Sequence, residues 1–348
     1  WLWLIDQSCI RDRVLPAKLK TMREEFFPTF DSGSVFVDPW LSGFESTFQV
    51  VLMGFFVCLA CGVIGNFVVA RRLALVGDAI SHSLLPGIAI AFVFTSSRSL
   101  PAMLIGAAVA GVLTTVLIEL IHRKSRVKPD AAIGIVFTTL FAVGVVVISI
   151  WLDNVHLDAD CVLYGEIGLV PLRESFILSG ANLGPLPIAI MGAVALLDIL
   201  LVIVFYRVLL VTSFDAGLAR SLGMPVNTTH YGLMIALALT IVAAFEAVGV
   251  VLVVAMLIFP AVTVGFFFER LPALLFGVAP LSLAYSLGGF HLARWLDCSI
   301  AGAMVVTAGA LFVVAWFFGP KGGLIYRSRA GGFLFATSKQ KISPQIVG

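Results

Sequence analysis

Charged side chains are scarce in this sequence. Its 348 residues include 22 Lys and Arg and 20 Asp and Glu, so 12% are charged and 60% are hydrophobic. Soluble domains carry about 25% charged residues, and a water-soluble fold could not cover this much apolar surface. The net charge of +2 also gives no electrostatic reason to expect nucleic-acid binding. The composition therefore predicts an all-α, polytopic membrane protein.

Motifs of ATP hydrolysis and zinc proteolysis are missing as well. The sequence has no Gly-x-x-x-x-Gly-Lys-Ser/Thr loop for a nucleotide phosphate and no His-Glu-x-x-His zinc site. Only five cysteines occur, and Cys58 and Cys61 lie inside an unbroken apolar run. A thiolate would be costly there, so we expect both to be small packing residues. We therefore expect the chain not to be an enzyme.

Apolar runs of spanning length fill most of the chain. A bilayer requires about 20 apolar residues per helix, and nine runs have about that length: 49–69, 74–95, 100–121, 131–152, 186–208, 228–246, 247–268, 272–292 and 299–318. Because 228–268 is continuous, we predict eight or nine spans within a membrane domain of residues 45–320. Residues 1–44 are predicted to be interfacial or poorly ordered, with an amphipathic helix beginning at 38–40, and 321–348 to form a tail.

The basic residues indicate an orientation. Placing the 122–130 loop in the cytoplasm puts most of the Lys and Arg between the spans on that side, together with all five after Gly319. The positive-inside rule then predicts a multi-pass protein of the cell (inner) membrane with a cytoplasmic C-terminus. The N-terminal segment would be external.

Two ionisable residues interrupt the second apolar run. Asp78 and His82 are four residues apart, which places them on one face of a helix. Ionisable side chains are costly inside a membrane and usually line a polar path. An Asp–His pair also offers oxygen and nitrogen ligands to a divalent transition metal, although a buried pair that braces the helix before Pro86 and Gly87 is an alternative.

Two ligands are too few for a transition metal, which prefers four to six. We therefore expect two copies of the chain to present two Asp–His pairs across a shared axis. Pro86 and Gly87 would loosen the helix beyond the pair and let it tilt during gating.

A short amphipathic helix is predicted at about 213–223, between two spans. Ser213 would cap it, and Gly223 and Pro225 would end it after about three turns. A lone helix outside the spans suits docking into a groove on a soluble partner.

Several of these segments together resemble one family. They are Gly77–Ser83 (Gly-Asp-Ala-Ile-Ser-His-Ser), Pro129–Ile135, the Ser-Phe-Asp at 213–215, the apolar stretch 238–261, and Phe318-Gly319-Pro320. Over about 50–320 the chain is similar to the permease subunits of ATP-binding-cassette importers for manganese, zinc and iron.

The resemblance implies roles and partners. Asp78 and His82 match the family's intramembrane metal-coordinating pair, and the 213–223 helix matches its ATPase-coupling helix, through Ser213, Phe214, Asp215, Ala219 and Gly223. Expected partners are an ATP-binding-cassette ATPase, a second permease copy or paralogue, and an extracytoplasmic metal-binding protein. No permanently bound cofactor is expected, only the transported Mn²⁺, Fe²⁺ or Zn²⁺.

Other polar residues have more than one interpretation. His230 is either structural or a ligand on the exit side, and Glu246, where the family more often has Gln, is either a mouth-lining acid or a surface residue. Asp198 is expected to make an interhelical hydrogen bond, and Glu119 to pair with the basic 122–128 loop. A further external group either attracts cations, forms a solvated face or docks the binding protein: Asp153, His156, Asp158 and Asp160.

The resulting hypothesis is an importer permease that passes a divalent metal through a pore at a permease dimer interface. Manganese or iron is favoured over zinc because the 230–234 stretch resembles those branches. The alternative is a proton-coupled secondary transporter without an ATPase, although we find no internal repeat typical of that class.

Overall fold

The computed structural model describes residues 31–95, 100–151, 167–173, 175–178, 181–321 and 323–325. Within these residues, a π-helical turn at Gly33–Val37 leads into helices that we number along the chain: α1 Asp38–Ser42, α2 Phe44–Ala70, α3 Ala74–Thr95, α4 Leu100–Lys124, α5 Pro129–Trp151, α6 Leu186–Val204, α7 Tyr206–Phe214, α8 Ala216–Ser221, α9 Val226–Gly265, α10 Leu271–Leu296 and α11 Ile300–Phe318. Between α5 and α6 lie a 3₁₀ helix, Ile167–Leu172, and an antiparallel hairpin of β1, Ser175–Leu178, and β2, Ala181–Pro185.

Eight helices in the described part of the chain are long and apolar enough to cross a membrane. They are α2 to α6, the first half of α9, α10 and α11. The predicted all-α membrane fold with eight or nine spans is therefore confirmed. Many outward-facing residues of these helices are large and apolar, as contact with lipid requires.

The continuous apolar run 228–268 forms the single element α9, but its backbone breaks at Gly249. Gly249 has φ 76° and ψ 169°, a region open essentially to glycine alone. The break separates the spanning half, Val226–Phe245, from a shorter apolar helix, Leu252–Gly265. At 1.5 Å per residue the shorter helix is about 21 Å long, which is less than the ~30 Å hydrocarbon core.

The helix expected at 213–223 differs from the prediction in its start and length. α7 continues through Ser213, so Ser213 cannot be the cap, and the Asp215 carboxylate instead accepts a hydrogen bond from the Leu218 amide at 2.9 Å. The capped helix, α8, has six residues, fewer than the predicted three turns. The predicted stop is confirmed, since Gly223 has φ 72° and Pro225 precedes α9.

The N-terminal part of the described chain packs on the end of α10. α1 contains the predicted helix start at 38–40, with Pro39 in its first turn. The His291 ring on α10 approaches the Val35 carbonyl oxygen at 3.0 Å and contacts the rings of Phe36 and Trp40. Residues 1–30, and the acidic stretch that contains Asp153, His156, Asp158 and Asp160, lie outside the described residues.

The centre of the bundle is built on close helix contacts at small residues. A Cβ on Gly65 of α2 would overlap the Leu257 carbonyl oxygen of α9, and a Cβ on Gly77 of α3 would overlap the Leu257 side chain. Small residues let membrane helices approach in this way. Cys58 and Cys61 on α2 are fully buried free thiols, as expected of packing residues.

Candidate functional site

Asp78 and His82 lie on the open side of α3, one turn apart. The His82 Nε2 and Asp78 Oδ1 atoms are 3.5 Å apart, and the side chains are 29% and 48% exposed, respectively. The opposite side of the helix is packed, because Ala79, Ile80 and Ser83 are buried. The pair is therefore accessible and loosely associated, which does not suit the alternative of a buried brace.

Aromatic rings of α5 hold the His82 imidazole. The ring centroids of Phe137 and Phe141 lie 5.3 and 6.3 Å from that of His82. Two aromatic neighbours restrict the imidazole without using its nitrogens, so His82 keeps a lone pair for a ligand when it is neutral.

One copy of the chain does not offer a complete metal site among the described residues. No group of three or more His, Cys, Asp or Glu side chains there is close enough to hold an ion. The Asp78–His82 pair is thus a two-ligand set among the described residues of one chain, and the expected contribution of a second copy stays a prediction.

Pro86 and Gly87 lie at close contacts of α3 with α5 and α4. α3 runs unbroken through Pro86, which is buried and so close to Gly144 of α5 that a Cβ there would crowd it. A Cβ on Gly87 would overlap the Gly106 carbonyl of α4. Pro86 has no N–H, so it cannot donate the helical hydrogen bond that the His82 carbonyl oxygen would otherwise accept. The predicted role of these residues in gating stays a prediction.

Beside the start of α3, a cavity of about 540 Å³ lies among α3, α4, α5, α7, α8, α9 and the turn that follows α2. We call it the Arg71 cavity, and its polar lining includes Arg71, Glu119, Arg123, Thr212, Arg220, Asn227 and His230. Burial lowers the pKa of the Arg71 guanidinium, which lies just beyond the end of α2.

Hydrogen bonds from Arg71 connect three elements in this cavity. Its Nε donates to Ser213 Oγ at 3.0 Å, and one Nη donates to Thr212 Oγ1 at 3.0 Å. The other Nη lies 3.4 Å from His230 Nδ1, which must accept because a guanidinium has no acceptor.

His230 is fully engaged in the same network. Since its Nδ1 accepts from Arg71, its Nε2 carries the hydrogen and donates to Glu119 Oε2 at 3.2 Å. Glu119 also pairs with Arg123, which confirms the expected partner in the 122–128 loop. With both ring nitrogens bonded, His230 fits the structural interpretation, and a metal would have to displace one of these bonds.

Asp198 makes the expected interhelical hydrogen bond. The carboxylate is buried on α6 and accepts from the Thr240 hydroxyl of α9 at 2.8 Å. The Glu246 backbone belongs to α9, but its side chain lies outside the described residues, so its predicted role stays a prediction.

The α8 region carries an apolar surface that the sequence analysis did not identify. Phe214, Leu218 and Leu222 are each at least half exposed and follow one another at intervals of four residues. This i, i+4 spacing was the available signal. Of the predicted coupling residues, Phe214 contributes to this surface, Asp215 caps α8, Gly223 ends it, and Ala219 is buried beneath it.

Comparisons with known proteins agree with one another. The model of the ABC 3 transport family matches residues 43–319. The manganese transport system membrane protein MntD of Bacillus subtilis (strain 168) is 42% identical over 276 residues, which are 79% of this chain and 93% of MntD. The zinc transport system membrane protein TroD of Treponema pallidum (strain Nichols) is 40% identical over 282 residues, 81% of this chain and 76% of TroD.

A solved structure matches the fold as well. It is described as PsaBC from Streptococcus pneumoniae in complex with Fab, and it has a TM-score of 0.69 and 31% sequence identity to this chain. The match covers 85% of this chain and 98% of that one.

Proposed function

The chain belongs to the ABC 3 transport family, as its motifs predicted, and from this premise we propose that it is the permease subunit of an ATP-driven importer for a divalent transition metal. The observation that carries the proposal is the open Asp78–His82 pair on α3. A half-exposed carboxylate in a spanning helix needs a polar surface rather than lipid opposite it. A second permease copy that presents its own pair would supply that surface and complete a set of four ligands.

The energy would come from a separate ATPase subunit. The sequence holds no phosphate-binding loop, whereas the segment from the end of α7 to the residue after α8 offers the exposed Phe214, Leu218 and Leu222 as a docking surface. In the proposed cycle an extracytoplasmic binding protein releases the ion to the permease dimer, and closure of the ATPases moves α8 and the spans. Asp78 and His82 hold the ion only transiently, since conduction requires weak binding.

We favour manganese or iron as the substrate and keep zinc as the second choice. Carboxylate and imidazole suit all three ions, and ligand affinity alone does not select among them. Relatives named for manganese and for zinc are similarly close to this chain. The placement of Lys and Arg supports a protein of the cell (inner) membrane with its C-terminus in the cytoplasm.

Reconstitution tests this function directly. Proteoliposomes would contain the permease with or without the ATPase subunit, and uptake of radioactive Mn²⁺, Fe²⁺ or Zn²⁺ would be measured with ATP or with a proton gradient. We expect uptake only with ATP and the ATPase. Asp78→Asn and His82→Gln should each reduce it at least tenfold, because each replaces a carboxylate or imidazole ligand of the four-ligand set with a weaker neutral amide.

The control makes the same chemical change at an exposed position, Asp38→Asn, and should transport like the wild type. Uptake driven by a proton gradient without the ATPase would instead establish the secondary transporter. Normal transport by both Asp78→Asn and His82→Gln would make the pair structural.

A further inference from the structure

The turn between α2 and α3 is directly bonded to the segment that leads into α8. Arg71 is the first residue of that turn, and it donates to Ser213 Oγ and Thr212 Oγ1 at the end of α7. We propose that Arg71 is a positioning residue that transmits movement of α8 to the helix that carries Asp78 and His82. This inference rests on the proposed function, because it assumes that an ATPase moves α8 and that the pair binds the metal.

The path from Arg71 to the metal pair is short and rigid. Only Arg72 and Leu73 separate Arg71 from the start of α3, and Asp78 follows one helical turn later. The turn is fixed by backbone hydrogen bonds from Arg72 to Val69 and from Leu73 to Val68, at 3.0 and 2.9 Å. A displacement of the Arg71 backbone would therefore be carried into the beginning of α3.

The path from Arg71 to α8 is equally short. Ser213 and Phe214 end α7, and Asp215 both terminates that helix and caps α8. The two neighbouring hydroxyls accept hydrogen bonds from two different nitrogens of one planar guanidinium. These bonds fix both the orientation of the end of α7 and its distance from Arg71. A single ammonium could not bridge both hydroxyls in the same way.

The third contact of Arg71, to His230, connects it to α9 and, through Glu119, to α4. His230 accepts from Arg71 and donates to Glu119, and Glu119 pairs with Arg123. These contacts keep the Arg71 cavity polar between α7 and the spans. Arg71 thus meets the α8 segment on one side and the fixed bundle on the other.

The test uses the assembled transporter in proteoliposomes and measures metal uptake and ATP hydrolysis together. Arg71→Met keeps the apolar stem of the side chain and removes its donors. We expect this variant to assemble with the ATPase and hydrolyse ATP at a rate within twofold of the wild type, while the number of ions transported per ATP falls at least tenfold. Arg71→Lys should recover only part of the loss, whereas a role in charge alone would be fully restored by Lys.

Two further variants guard against loss of folding. Thr212→Val with Ser213→Ala leaves Arg71 in place and removes its two hydroxyl acceptors. This double variant should also lower the ions per ATP, and it should add no further loss to Arg71→Met, because both changes break the same link. The control is Arg72→Asn, since Arg72 is exposed and has φ 59°, a conformation that Asn tolerates.

The outcomes separate this inference from the function on which it rests. If the wild type takes up no metal with ATP, the proposed function fails and the inference fails with it. If the wild type transports and Arg71→Met keeps the wild-type ratio of ions to ATP, the link is refuted and the function stands. A parallel fall of assembly, ATP hydrolysis and transport in every Arg71 variant would show a merely structural role and also refute it.

Discussion

Polar residues inside the spans fall into two groups, one hydrogen-bonded within the bundle and one partly exposed. Asp198 and Thr240 lie on neighbouring helices and satisfy each other through a 2.8 Å hydrogen bond in the bundle interior. Asp78 and His82 are partly exposed on the surface of the chain and are only loosely associated with each other. Because an unpartnered carboxylate in lipid is expensive, Asp198 is bonded inside the bundle, whereas the proposed function gives Asp78 and His82 a metal ion as their partner.

Removing the hydroxyl from Thr240 should destabilise the protein. Thr240→Val keeps the volume of the side chain and leaves the Asp198 carboxylate without this donor, which we expect to cost about 1–2 kcal/mol. The midpoint of thermal unfolding, measured on the protein in detergent, should therefore fall by a few degrees. Metal transport by the protein that remains folded should not change.

The control for this prediction is Thr138→Val. The Thr138 hydroxyl is exposed and bonds only to carbonyls of its own helix, at Gly134 and Ile135. Its loss should leave the unfolding midpoint unchanged. Equal midpoints for the Thr240 and Thr138 variants would show that the Asp198 contact does not contribute to stability.

Helix positions could be predicted from the sequence because a bilayer dictates their length. The predicted run 74–95 coincides with α3, and 299–318 differs from α11 by one residue. The placement of Asp78 and His82 on one face of α3 could also be predicted from the sequence, because their spacing is a local property of one helix. The bonds of Arg71 to Thr212 and Ser213 were not, because hydropathy carries no information about which residues meet across about 140 positions.

Backbone breaks inside an apolar run were also invisible to hydropathy. The 228–268 run is uniformly apolar, so its division was left open between one segment and two. The structure divides it at Gly249, where φ is 76°. The one available signal was the glycine itself, and the sequence contains 32 glycines, most of which serve close packing or turns elsewhere.

The break at Gly249 gives a prediction for α9. Gly249→Ala would force a Cβ into a backbone region that only glycine adopts readily, at a cost of about 1–3 kcal/mol. We expect a lower unfolding midpoint and, because the break ends the spanning half of α9, reduced metal uptake. Both are measured on the purified variant, in detergent and in proteoliposomes.

Gly232→Ala is the matched control in the same helix. Gly232 has helical geometry, and a Cβ there would meet open space. Alanine is favoured over glycine in a helix by about 0.5–1 kcal/mol, so this variant should be as stable as the wild type or slightly more so. If Gly249→Ala behaves in the same way, the helix does not need its break.

At the scale of the whole molecule, the site is incomplete and the surface beside it is open. Among the described residues, the Asp78–His82 pair has no third ligand within the same chain, and α5, whose Phe137 and Phe141 support His82, is the least buried of the eight described spans. In the proposed dimer, each copy would contribute half of the metal site at this surface. A dimer of identical chains would then complete the ligand set without any further ligand residue in the sequence.

The number of ions bound per chain tests this arrangement. If two copies share one ion, equilibrium binding of Mn²⁺ to the purified permease should saturate at about one ion per two chains, because four ligands suffice for a transition metal. Saturation is measured by dialysis with radioactive Mn²⁺ against the chain concentration from amino-acid analysis. Asp78→Asn should abolish this binding, while Asp38→Asn should leave it intact. One ion per chain, retained when the protein is diluted to a monomer, would mean that each chain builds its own site and that the pair is not shared.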